Sequence, residues 1–279
     1  MCKKCLFICI TLFFLIKTIT ISAQSCSERD VIIEHHSIPV DALHGELHFD
    51  VYVPPCIDER IIGGYPVVYL LHGQDMDLTV WKDMNLGTII NDTINLWHTP
   101  LFLTVVPQED QYLLSFSLSG FEEALLDHLI PWIDAHYNTC SARECRSLGG
   151  MSRGALWAEK IALENPDLFE SVGLLSLPGT FVDDQSLYYL VERNKDNPMP
   201  RLRMDTGTED SYRHEGSKAA SQLTFIGYPY EYNIQPGKHN TEYWQSRLNE
   251  YFVWFSKGWD IGQFPIAIRH SEGNCGRLR

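Results

Sequence analysis

The sequence predicts an α/β fold: a mostly parallel central sheet covered by helices and entered through an N-terminal antiparallel hairpin. Three observations predict it. Short continuous apolar runs alternate with segments of helical periodicity along most of the chain. Two β-rich stretches, Val31 to Val40 and Glu46 to Val53, flank the turn Asp41-Ala42-Leu43-His44-Gly45. Finally, Ser147-Leu148-Gly149-Gly150-Met151-Ser152-Arg153-Gly154 leads into the helix formers Leu156 to Leu163, a strand, tight turn and helix with Ser152 at the apex.

Residues 1–23 stand apart. Lys3 and Lys4 precede the apolar run Leu6 to Ile16, and Ile21-Ser22-Ala23 offers a small-residue cleavage site before Gln24. That is the pattern of a secretory signal peptide. Lys17 interrupts a run already short for a bilayer span, so no membrane anchor is expected after cleavage. The mature chain is expected outside the cytoplasm, secreted or periplasmic, as a single domain over 24–279 with an irregular tail from about Lys257. Over all 279 residues the hydrophobic content of 44% and charged content of 21% are ordinary for a globular protein. The net charge of −14 excludes nucleic acid as an expected partner.

Of eight cysteines, Cys2, Cys5 and Cys9 leave with the signal. An oxidising compartment favours disulfides among the rest. Cys140 and Cys145 bracket a short loop and suit a local bridge. Cys26 and Cys56 flank the hairpin and suit a bridge across it, which leaves Cys275 over. Among the five remaining cysteines no C-x-x-C pair, and near them no histidine cluster, points to a metal.

Tyr65 to Leu71 reads as a strand buried on both faces that ends at His72-Gly73, and Leu101 to Val106 as a second, closed by Pro107. Ser119-Gly120-Phe121-Glu122 reads as a capping box. Phe121, Leu125, Leu129, Ile133 and Tyr137 then recur every four residues, with Pro131 expected to break or kink that helix. The turn at Ser152 and its helix follow, ending at Pro166. Ser171 to Leu175, Leu202 to Asp205 and Tyr228 to Ile234 supply three more strands, with a short helix at Ser217 to Leu223 between the last two. A final amphipathic helix carries Trp244, Leu248, Tyr251, Phe252 and Phe255 on one side.

Gly150-Met151-Ser152-Arg153-Gly154 is a G-x-S-x-G elbow, in which a strained turn exposes a serine nucleophile beside a helix N-terminus. A nucleophilic serine needs a base, and the base needs an orienting acid, in the chain order serine, acid, histidine. Three histidines follow Ser152: His214, His239 and His270. His239 lies in a glycine-bearing loop between the last strand and the last helix, and is the expected base. His214, in a polar helix start, and His270, in the tail, read as surface residues. For the acid, the loop after the fourth parallel strand offers Asp205, Glu209 and Asp210. Asp205 is expected to bond its turn at the strand end, which leaves Asp210 as first choice and Glu209 as runner-up. The two oxyanion donors are expected from the N–H groups of Arg153, after the nucleophile, and Gln74, after His72-Gly73. His72 itself reads as a hydrogen-bonded core histidine. Trp81 and Phe181, with Trp157, Tyr188 and Tyr189, are candidates for an acyl or aromatic pocket, and core packing is the expected role of Trp157.

Together, Leu70-Leu71-His72-Gly73 with Trp81, Gly150-Met151-Ser152-Arg153-Gly154, Asp205-Thr206-Gly207-Thr208-Glu209-Asp210, and Gly237-Lys238-His239 with Trp244 resemble the esterase D family of α/β hydrolases. The resemblance runs from about Val31 to Trp254. It implies the three-layer α/β-hydrolase sandwich, ester hydrolysis or acyl transfer through an acyl-enzyme, and no cofactor. Families of this kind include feruloyl, acetylxylan and siderophore esterases, S-formylglutathione hydrolase and mycolyltransferases. Export disfavours S-formylglutathione, a cytosolic substrate, and favours acyl groups on plant or microbial polysaccharide or small-molecule esters such as siderophore lactones. Two features depart from the pattern: Ala155 replaces a frequent second glycine, and Arg153 a frequent apolar residue. Arg153 either brings positive charge to the pocket or pairs with a carboxylate and supports the elbow. The rival readings are a serine peptidase, for which nothing resembles an appended propeller or an amine-recognition site, and a non-catalytic binding module, which requires a lost triad member where none is lost.

Overall fold

The structure, a computed structural model, describes residues 30–57, 62–180, 184–194 and 198–259. The expected signal segment, Cys26, Phe181, His270 and Cys275 lie outside them. Eight strands form one sheet: β1 Ile32–Val40, β2 Gly45–Val53, β3 Val67–Leu71, β4 Leu103–Pro107, β5 Arg146–Met151, β6 Ser171–Leu175, β7 Arg201–Gly207 and β8 Tyr230–Gln235. Their spatial order is β1-β2-β4-β3-β5-β6-β7-β8. β1 pairs antiparallel with β2, and β2 antiparallel with β4; every later neighbour is parallel.

Alternation along β3 explains the layering. Val67, Tyr69 and Leu71 enter one apolar cluster, and Val68 and Leu70 enter another on the opposite face. Both clusters need cover, and helices supply it. In chain order these are α1 Thr79–Asp83, α2 Leu86–Leu96, α3 Phe121–Glu123, α4 Ile130–His136, α5 Arg153–Glu164, α6 Asp184–Arg193, α7 Arg213–Phe225 and α8 Thr241–Ser256. Ala155, Ala158 and Ala162 of α5 help seal the first cluster, and Trp244, Leu248, Tyr251, Phe252 and Phe255 of α8 the second. The second cluster also holds Leu86, Ile90 and Ile94, spaced one helical turn apart on α2, which packs against α8.

Three local expectations are corrected. Ser119 does not close a capping box: Gly120, at φ 68°, precedes α3, and the Ser119 hydroxyl accepts only from the Phe121 N–H at 3.3 Å. Glu122 instead takes Lys160 at 2.5 Å. Nor does Pro131 break the chain's helical path. Ala124–Leu129 widens into a π-helix that joins α3 to α4, so Pro131 falls in the first turn of α4, where its missing N–H is harmless. Finally, α7 extends beyond Ser217 to Leu223 at both ends and begins three residues after Asp210.

Cys140 and Cys145 are joined by a disulfide with a Cα–Cα distance of 5.7 Å, closing the loop that enters β5. Cys56 is also disulfide-bonded, and its expected partner Cys26 is outside the described residues. Among the described residues no helix is long and apolar enough to cross a membrane, and no group of three or more His, Cys, Asp or Glu side chains could hold a metal ion.

Candidate active site

The site lies at the C-terminal ends of β3 to β8. At its centre is Ser152, with φ 54° and ψ −120°, a conformation few non-glycine residues adopt. The turn is fixed from both sides. The Ser152 N–H donates to the Leu175 carbonyl at 2.9 Å, and the Ser152 carbonyl accepts from the N–H groups of Ala155 (2.9 Å) and Leu156 (3.3 Å). The flanking glycines are required by space. A Cβ on Gly150 would stand 2.2 Å from the Gly154 oxygen, and one on Gly154 would stand 2.2 Å from the Leu71 oxygen. Ala155, the departure next to the motif, is fully buried in the first cluster.

The structure brings Ser152, His239 and Asp210 together. His239 Nε2 lies 2.9 Å from Ser152 Oγ, and its Nδ1 lies 3.1 Å from each oxygen of Asp210. The His239 ring is flanked by Tyr212 (centroids 4.9 Å apart, 61°) and Trp244 (5.1 Å, 86°), both edge-on. The acid and base loops are also stitched by their backbones: the Thr208 N–H donates to Gln235 and the Glu209 N–H to Gly237, each at 2.8 Å.

Asp210 is buried, whereas Glu209 is exposed. Burial opposes ionisation of Asp210. Hydrogen bonds from His239, from Ser176 and from the Tyr212 N–H (2.7 Å) outweigh that opposition and hold its carboxyl below the ordinary range. Asp205 does not bond its turn as expected: it is buried within β7 and pairs with Arg203 at 2.9 Å, and Arg203 reaches Glu250 at 3.1 Å.

The N–H of Arg153 opens α5, where first-turn donors have no partner within the helix. Gly73 lies against the nucleophile, since a Cβ there would stand 3.5 Å from Ser152 Cβ, and Gln74 is the next residue in the chain. The Arg153 side chain turns to Glu109, with Nε–Oε2 2.8 Å and Nη2–Oε1 2.6 Å, and lies 4.5 Å over the Phe116 ring. Of the two roles open to it, pairing with a carboxylate is the one it adopts.

His72 is buried, donating from Nδ1 to the Gly73 carbonyl at 2.8 Å and accepting at Nε2 from the Glu109 N–H at 2.9 Å. Desolvation dominates its titration and lowers its proton affinity, against the raising effects of the Gly73 carbonyl, Glu109, Asp110 and Asp77. The unfolded chain then binds this proton at higher pH than the folded one, so folding stability falls as pH drops below about 6.5. Urea midpoints measured from pH 7 to 5 should decrease, and less steeply in His72→Asn. An unchanged slope in that variant would assign the effect to other groups.

Trp81 is corrected from a pocket candidate to a core residue: it is 1% exposed and packs in the second cluster with Met84 and Ile90. Trp157 is likewise buried, its ring tilted against those of Phe116 and Phe121. Tyr188 and Tyr189 are exposed on α6. Two participants were not anticipated. Ser176, at φ 53° just past β6, accepts from Trp244 Nε1 at 2.9 Å and bonds Asp210; Glu109, just past β4, holds Arg153. Both are polar residues closing an apolar strand run, and that was the only trace available in the sequence.

The profile of the family described as Putative esterase matches residues 41–255. An endo-1,4-beta-xylanase/feruloyl esterase of Xylanibacter ruminicola is 29% identical over 165 residues, a match covering 53% of this chain and 23% of that protein. Among solved structures, a ferulic acid esterase superposes with a TM-score of 0.73 at 19% identity, covering 82% of this chain and 98% of its own. An S-formylglutathione hydrolase from Staphylococcus aureus superposes with a TM-score of 0.68 at 16% identity, covering 81% and 99%. At such identities the likeness is one of fold, and the fold is that of the α/β hydrolases.

Proposed function

The chain belongs to the Putative esterase family, and we propose that it is an exported serine esterase working through Ser152, His239 and Asp210. The observation that carries this reading is the continuous path from Ser152 Oγ through the His239 ring to Asp210, with contacts of 2.9 and 3.1 Å. His239 Nε2 takes the Ser152 proton as Oγ attacks the ester carbonyl carbon. The resulting oxyanion is held by the N–H groups of Gln74 and Arg153. His239 then returns the proton to the departing alcohol, leaving an acyl-serine. Water, deprotonated by the same nitrogen, attacks the acyl carbon and releases the carboxylic acid. Asp210 keeps Nδ1 protonated, so Nε2 is free to act as base, and stabilises the imidazolium that forms.

The substrate class we assign is an aromatic acyl ester on a plant polysaccharide. Support comes from the feruloyl esterase name of the Xylanibacter relative and from the export signal expected in residues 1–23. Because that relative is matched over only 23% of its length, its xylanase activity is not carried over. Acyl transfer shares the acyl-enzyme and differs only in the acceptor.

A panel of p-nitrophenyl acetate, a longer-chain ester, methyl ferulate, a feruloylated arabinoxylan oligosaccharide and a cyclic siderophore lactone tests the assignment. The feruloyl esters should give the highest kcat/KM. Preference for the siderophore would move the substrate class, and turnover of none would remove the esterase reading.

A further inference from the structure

We propose that Glu109 is a positioning residue that sets both halves of the oxyanion pocket at once. The inference rests on the serine esterase reading, in which one donor is the N–H of Arg153 and the other that of Gln74. These two residues come from different parts of the chain, and the spacing of their N–H groups decides whether both reach the same oxygen. Glu109 touches both parts. Its carboxylate grips Arg153 through two parallel bonds of 2.8 and 2.6 Å. Its backbone N–H donates to His72 at 2.9 Å, and His72 in turn holds the Gly73 carbonyl at 2.8 Å, the C=O of the same peptide that carries the Gln74 N–H.

Burial makes this arrangement stiff. Glu109 is 4% exposed, and the Arg153 side chain is 11% exposed. The guanidinium is also held from its face by Phe116 at 4.5 Å and at its edge by the Leu114 carbonyl at 3.4 Å. A forked, two-bond contact fixes orientation as well as distance, which a single bond does not. The pairing also neutralises a cation immediately after the nucleophile. Left unpaired, that cation would draw the Arg153 side chain toward solvent and tilt the first turn of α5, which carries the donor N–H. A purely structural role for the ion pair would stabilise the fold without influencing the reacting oxygen.

The test is Glu109→Gln, which keeps the shape and the backbone N–H but loses the charged fork. Expected is a fall in kcat for p-nitrophenyl acetate of about 10- to 100-fold, below the loss typical for deleting an oxyanion donor outright, with KM within about threefold. The decisive readout replaces the carbonyl oxygen by sulfur. A well-set oxyanion pocket prefers the oxo ester over the thiono ester, so the ratio of the two rates should shrink in the variant along with kcat. A kcat within twofold of wild type in folded protein, or a lower kcat with an unchanged ratio, would overturn the proposal. Should Glu109→Gln fail to fold, Arg153→Lys keeps the charge, loses the fork, and must show the same shrinkage. Ser152→Ala, run alongside, separates the two levels. If that variant retains turnover, the esterase reading fails; if it is inactive while Glu109→Gln behaves as wild type, only the positioning role fails.

Discussion

Ser152→Ala should lower kcat for p-nitrophenyl acetate by about 10⁴- to 10⁶-fold, the range seen when a triad nucleophile is removed while the oxyanion donors remain. The protein should remain folded. The Ser152 side chain contributes the contact to His239 Nε2, whereas the turn itself is fixed by backbone bonds to Leu175, Ala155 and Leu156. Alanine accepts φ 54° no worse than serine does, so the strain is unchanged. One hydrogen bond is worth about 1 kcal/mol, and the melting temperature should move by no more than about 4 °C. Stopped assays at high enzyme concentration, with thermal melts beside them, measure both. Turnover within tenfold of wild type would remove Ser152 from its role.

Asp210→Ala should follow, with kcat reduced by about 10³- to 10⁴-fold, while Glu209→Ala stays within about twofold. The two carboxylates are neighbours in sequence but not in environment. Asp210 is buried, bonded to His239, Ser176 and the Tyr212 N–H, and held ionised to lower pH than a free carboxyl. Without it, the His239 ring loses the partner that keeps Nδ1 protonated. Glu209 is exposed, and it is its backbone N–H that bonds the base loop, a bond alanine preserves. A greater loss at Glu209 would exchange the two assignments. Asp210→Asn is an informative third variant, because an amide that donates to Nδ1 selects the tautomer in which Nε2 carries the proton.

What could be read from the sequence was whatever short-range patterns dictate. The apolar runs at Tyr65 to Leu71 and Ser171 to Leu175 announced strands buried on both faces. Gly150 and Gly154 announced a turn with no room for a side chain. Asp210 and His239 stand out as candidates because each follows a strand, in the right order, and the structure sets them side by side. Helix α2 was missed because Gly87, Thr88, Asn91 and Asp92 are poor helix formers; its stability comes from packing against α8, a partner distant in the chain. Pro131, expected to break or kink its helix, does not break it: the chain absorbed the proline by widening the preceding turn. Ser176 and Glu109 were missed because their roles depend on partners far along the chain, Trp244 and Arg153. A lone polar residue after a strand does not disclose such a partner. Trp81 was placed wrongly because an aromatic side chain near a strand end looks the same in sequence whether it lines a pocket or fills the core.

The two backbone bonds that join the Asp210 loop to the His239 loop have a mechanical consequence. They gather acid and base into one lever carried by β7 and β8, while the nucleophile stands on a separate anvil at β5. The contact between His239 and Asp210 is therefore braced by bonds between their loops, and the gap between His239 and Ser152 is the one that spans separate strands. That gap is the one that must open and close as the proton travels to the leaving alcohol and back from water.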